Sequence, residues 1–148
     1  MSIEIAKDYA YVLVAATAIS LQVIIIGFGV GGARKKHGVK YPDMGNGRYS
    51  AKLNDADWED FNNHMRAHYN YVEGVASITT ALLISGLFYP RWSAAWGATY
   101  VVGRQLYAIG YRRSGAQGRL LGVGLVDVGL FTLIGTAFYG AINTILAA

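Results

Sequence analysis

YAYVLVAATAISLQVIIIGFGVGG, Tyr9 to Gly32, holds no charged residue and closes on the basic cluster ARKK. Coiled as a helix at about 1.5 Å per residue, it covers the roughly 30 Å hydrocarbon layer of a bilayer. A cleaved leader is the competing reading, but leader cores run only about 7–15 residues behind a basic flank. The flank here is mixed, with Lys7 beside Asp8. The stretch therefore reads as a membrane span, and it sets the frame for the rest of the chain.

Outward from that span the pattern repeats. Val72 to Tyr89 is apolar after a polar opening, Trp92 to Tyr111 contains only Arg104 as a charge, and Leu120 to Ala148 only Asp127. The expected fold class is all-α: an integral membrane four-helix bundle in one domain, 1–148, with spans at about 9–32, 60–89, 91–112 and 119–146. A polar loop from Lys35 to about Asp60 separates the first two spans, and YPRW and RRSGAQGR form tight turns. Glycines and charges in residues 41–60 suggest a flexible segment.

Composition agrees. Of 148 residues, 53% are hydrophobic and 15% charged, an unusual balance for a soluble globule. No cysteine is present, so the chain has neither disulfides nor a thiol nucleophile of its own, and any sulfur must arrive with a ligand. Arg34, Lys35, Lys36, Lys40, Arg48, Lys52, Arg112, Arg113 and Arg119 lie at one side of the bundle, against Lys7 and Arg91 at the other. That bias places both connecting loops in the cytosol. The net charge of +4 reads as topology and headgroup attraction, and the chain carries no nucleic-acid, dinucleotide or phosphate-loop fingerprint.

At about 100° per residue, Arg66, Asn70 and Glu73 fall within roughly 60° of one another, with Ser77 continuing the line. Tyr100, Arg104, Tyr107 and Tyr111 share a face of the third span in the same way. Each ionisable group at membrane depth costs about 2.5 kcal/mol or more, so such faces normally look into protein or a watered cavity. An intramembrane salt bridge of Arg66 or Arg104 with Glu73 is one explanation. The surplus of Arg66, Arg104, Arg112, Arg113 and Arg119 around a sole embedded acid, Glu73, points instead to an anionic polar ligand with several carboxylates.

Weaker signals carry less. His64 and His68 stand at i and i+4 without a third ligand or an intervening base, so no metal is expected. Asp127 either pairs with a basic group of a neighbouring helix or is tolerated near water. GFGVG and GRLLG read as close helix packing.

Together KDYAYVLV, ARKKHGVKYP, FNNHMRAHYNYVEG, LFYPRWSAAWG and VVGRQLYAIGYRRSG make the chain similar, over nearly its whole length, to the membrane-associated proteins in eicosanoid and glutathione metabolism, the MAPEG family. The resemblance is closest to its type-three microsomal glutathione transferases. It implies a homotrimer in the endoplasmic reticulum membrane, with glutathione as co-substrate bound between subunits and open to the cytosol. By motif position it implies that Arg66, Asn70, Glu73, Arg104, Tyr107, Tyr111 and Arg34 hold glutathione and that Arg119 activates its thiol. The activities implied are transferase and peroxidase, against a lipophilic electrophile or lipid hydroperoxide drawn from membrane lipid, with leukotriene-C synthesis among them.

Two departures stand out. Gly74 replaces the tyrosine that follows the motif glutamate in the family's leukotriene-C synthases, and RRSGAQGR is one residue longer than their loop. Arg112 and Arg113 are therefore fallback thiol activators. A non-catalytic lipid-presenting protein of the same fold is the alternative function. An anion channel is disfavoured, since the polar faces stop partway along each helix.

Overall fold

The structure, a computed structural model, describes residues 5–147, so the outermost ends of the expected 1–148 domain lie outside the described residues. Four helices follow in order: α1 (Tyr9–His37), α2 (Asp55–Phe88), α3 (Pro90–Gly118) and α4 (Leu120–Leu146), with no strand among the described residues. Local chemistry explains three of the boundaries. Gly38 ends α1 in the left-handed conformation (φ 67°), Asn54 caps α2 by accepting from the Asp57 N–H at 3.0 Å, and Pro90 opens α3.

The helices α2 and α3 occupy the centre, with α1 and α4 each packed against both of them. Val12, Ile19 and Ile26 recur every seven residues along α1 and meet Ile78, Leu82, Tyr71 and Tyr100 in the core, to which Leu133 of α4 also belongs. A polar knot crosses it: Gln22 donates to the Val101 carbonyl at 2.9 Å and accepts from the Tyr71 hydroxyl at 2.8 Å. Hydrogen bonds of this kind join helices where no water competes.

Outward, the bundle is apolar. Val14, Phe28, Phe131, Phe138 and Ile145 are all more than 60% exposed, a surface suited to lipid or another copy and not to water. Three helices, α1, α2 and α4, are long and apolar enough to cross a membrane. Tyr100, Arg104, Gln105 and Tyr107 make α3 less apolar, yet its 29 residues are tied by short connections to α2 and α4, so it must return across the same layer.

The loop between α1 and α2 is shorter and better organised than its composition suggests. The buried Asp43 carboxylate accepts from the N–H groups of Gly45, Gly47, Tyr49 and Ser50 and from the Ser50 hydroxyl, all at 2.8–2.9 Å. Asn62 of α2 ties Gly45 down at 3.2 Å. The flexible-segment expectation is corrected on that ground: one carboxylate gathers the glycine-rich turn around itself.

Candidate functional site

Glycine brings α3 and α4 into backbone contact. A Cβ at Gly103 would lie 2.9 Å from the Val126 nitrogen and one at Gly122 would strike the Tyr107 backbone, while at the C-terminal end of α3 Gly110 and Gly118 meet carbonyl to Cα. The GRLLG stretch thus does what its spacing predicts. Beyond Tyr111, α3 bends at Ser114 and Gly115, and Gly115 adopts φ 60°, ψ −150°, a conformation that side-chain-bearing residues avoid. The bend turns the chain back so that Arg119, at the head of α4, faces Tyr107.

Where these helices meet α2, a cleft of about 350 Å³ opens, lined by Asn70, Glu73, Arg104, Tyr107, Arg119 and Asp127 among others. Arg119 donates from Nη1 to the Tyr107 hydroxyl at 3.3 Å, and its guanidinium lies 5.6 Å from the centre of the Tyr111 ring. Its Nε is buried without a partner. Tyr107 accepts that bond and keeps its own hydroxyl proton to donate.

Arg104 is only 5% exposed. It donates from Nε to the Tyr100 hydroxyl at 2.9 Å and from Nη1 to the Asn70 side-chain oxygen at 2.7 Å. Tyr71, Tyr100 and Tyr107 place their rings 4.8–5.5 Å from it. Gly74 makes room, since a Cβ there would lie 3.0 Å from Nη2. The departure at position 74 thus opens the space in which Arg104 rests against α2. Neither Arg66 nor Arg104 forms an ion pair with Glu73 among the described residues, which removes the salt-bridge explanation.

Asn70, Glu73, Arg104, Tyr107 and Arg119 therefore come together around one cleft, with Tyr111 at the edge. Arg66 is exposed one turn from Asn70 and has no partner among the described residues. Arg34 does not reach this cleft. It folds back on its own helix end, donating to the Val39 carbonyl at 3.4 Å and stacking 4.1 Å from the Tyr41 ring. Arg112 points the other way as well, to the Ile26 carbonyl at 2.8 Å, across the space left by Gly29. The glycines of GFGVG thus accommodate side chains of α2 and α3, His68 at Gly27 and Arg112 at Gly29, instead of a bare helix backbone.

The charge balance also needs correcting. Glu73 is not the sole acid, because Asp127 of α4 lines the same cleft, while Arg34 and Arg112 are turned away. Two guanidinium groups face two carboxylates, with Arg66 nearby. Such a cleft suits a ligand bearing both ammonium and carboxylate groups, not a pure polyanion. Helical spacing could not reveal Asp127, since it places residues on one helix and says nothing of how α4 is rotated against α2.

The MAPEG family model matches residues 12–139. An uncharacterized protein of Synechocystis sp. is 32% identical over 136 residues, which cover 90% of this chain and 86% of that one.

Proposed function

The chain belongs to the MAPEG family, and from that premise we propose that it is a membrane-bound glutathione transferase with glutathione-dependent peroxidase activity, most like the type-three microsomal branch. Family membership supports a membrane role in glutathione or eicosanoid metabolism in general terms. What supports the sharper reading is Arg119: a guanidinium fixed to Tyr107, with an unpartnered Nε, in a cleft that also holds Glu73.

The cleft fits glutathione by chemistry. Glu73 takes the ammonium, Arg66 and the free Asn70 amide take carboxylate, and Arg119 with the Tyr107 hydroxyl faces the thiol. A free thiol with a pKa near 8.5 is only a few per cent ionised at neutral pH. A neighbouring guanidinium that lowers this by about two units supplies roughly 2.7 kcal/mol of differential stabilisation. Arg104, held by Asn70 and Tyr100, shapes the wall of the site and anchors Asn70.

Glu73 and Asp127 are exposed in the single chain, at a depth where charge cannot face lipid. A homotrimer in which the neighbouring copy covers the cleft resolves this, and Arg34 joins the site only across that boundary. The basic loops put the mouth in the cytosol, at the endoplasmic reticulum membrane in a cell that has one.

The lipophilic electrophile or lipid hydroperoxide enters from membrane lipid. An apolar groove of about 560 Å³ between α2 and α4, lined by Ala76, Thr80, Ile84, Ile134 and Phe138, lies farther along the same two helices. The same groove favours a second reading, a lipid-presenting protein without turnover. Purified protein in detergent, given glutathione and a generic electrophile, separates them: conjugate formation supports the transferase, and lipid binding without turnover supports the presenter.

A further inference from the structure

One charge interrupts the whole length of α4, and that charge is Asp127. It lies eight residues from Arg119, about 12 Å along the helix axis, where the polar cleft gives way to Leu130 and then to Ile134 and Phe138 of the groove. No described cation stands within ion-pair distance of it, and no described donor hydrogen-bonds to it. An ionisable side chain at membrane depth with no structural partner is a functional residue by default. The groups around the same cleft are Glu73 from α2, Arg104 and Tyr107 from α3, and Arg119 from α4. Glu73 already answers the ammonium of the peptide. What remains for Asp127 is the junction itself, between a sulfur held by Arg119 and an electrophile lying in the groove.

Building on the transferase reading, we propose that Asp127 is the proton carrier for the lipophilic substrate. The thiol gives its proton to water on ionising, and the Asp127 carboxyl, protonated in turn from water, passes a proton to the oxygen that departs. With a hydroperoxide, the sulfur bonds to the terminal oxygen as the O–O bond breaks, and the electron pair leaves on the inner oxygen. That oxygen takes the proton from Asp127 and leaves as the alcohol. The sulfur is oxidised to a sulfenic acid and the peroxide reduced; a second peptide thiol then displaces water to give the disulfide. With an epoxide, an S–C bond forms, a C–O bond breaks, and the ring oxygen takes the same proton. A departing halide needs no proton.

That difference provides the test. Wild type and Asp127→Asn are assayed with glutathione and either cumene hydroperoxide or chlorodinitrobenzene. The ratio of peroxidase to conjugation rate is expected to fall about thirtyfold or more in the variant, within the range of general acid catalysis, and Asp127→Glu to recover part of it. An unchanged ratio would overturn the proposal, whether both rates persist or both fall together. Should Asp127→Asn fail to fold, the solvent deuterium isotope effect on wild type decides: about twofold on hydroperoxide turnover and near unity on conjugation is expected, and equal effects count against it. A wild type that turns over neither electrophile sinks the transferase reading itself, whereas one that turns over both with an unaltered variant sinks the role of Asp127 alone.

Discussion

The Arg119 guanidinium donates to the Tyr107 hydroxyl at 3.3 Å across the junction of α3 and α4. The contact depends on the Gly115 bend and on the Gly122 approach to Tyr107. Packing and chemistry are therefore linked, and substitutions far from any ligand should change activity through this one bond.

Gly122→Leu forces a side chain into the Tyr107 backbone. Overpacking of this kind costs about 2–3 kcal/mol. The expected outcome is a lowered Tm together with loss of glutathione-dependent turnover, measured by thermal shift and conjugation assay on the same preparation. A variant of wild-type activity would show that the α3–α4 approach does not position Arg119.

Arg104→Ala leaves the Asn70 oxygen and the Tyr100 hydroxyl without their buried donor. Loss of a buried charged hydrogen-bonding group costs about 3 kcal/mol. Thermal or denaturant unfolding in detergent should register it, and glutathione affinity should fall as Asn70 loses its anchor.

Glu73→Gln keeps the shape of the side chain and removes its charge. If Glu73 holds the ammonium, calorimetry should find glutathione bound about tenfold to a hundredfold more weakly, with chlorodinitrobenzene conjugation recoverable at high glutathione. Equal affinities would assign the ammonium elsewhere.

Asp43 makes the loop sensitive to acid. Burial alone would raise its carboxyl, but the N–H groups of Ser50, Gly45 and Gly47 and the Ser50 hydroxyl outweigh that and hold it well below the usual carboxylate range. A depressed native value means the stabilisation is complete above the unfolded value of about 3.9 and is lost as pH falls through the native one. Asp43→Asn should therefore be the less stable protein at pH 7, with the gap to wild type closing below about pH 4. Proteolysis of the 38–54 loop across pH measures this directly.

The sequence carried the helices and their polar faces, because apolar run length and a 3.6-residue repeat are properties of one helix at a time. Asn70 with Glu73, and Arg104 with Tyr107, were legible for that reason. Which face meets which neighbour is set by contacts between helices. Gly29 lets Arg112 turn onto α1, Gly74 lets Arg104 lean on α2, and the α3–α4 glycines bring Asp127 into the cleft. Arg34 was legible as a cation, but its direction follows from Tyr41 and Phe61, whose rings draw it back over the helix end. The order of the loop was hidden too, since hydrogen bonds from the backbone N–H groups of Gly45, Gly47, Tyr49 and Ser50 to Asp43 leave no pattern beyond an Asp among glycines.

The central claim is that Arg119 ionises a thiol bound in the cleft, and the ultraviolet absorbance of the thiolate, titrated with glutathione bound to wild type and to Arg119→Ala, tests it most directly. Wild type should reach half-ionisation about two units below the free thiol value of about 8.5, and the alanine variant should return to near that value. Two superimposable titrations would contradict the account.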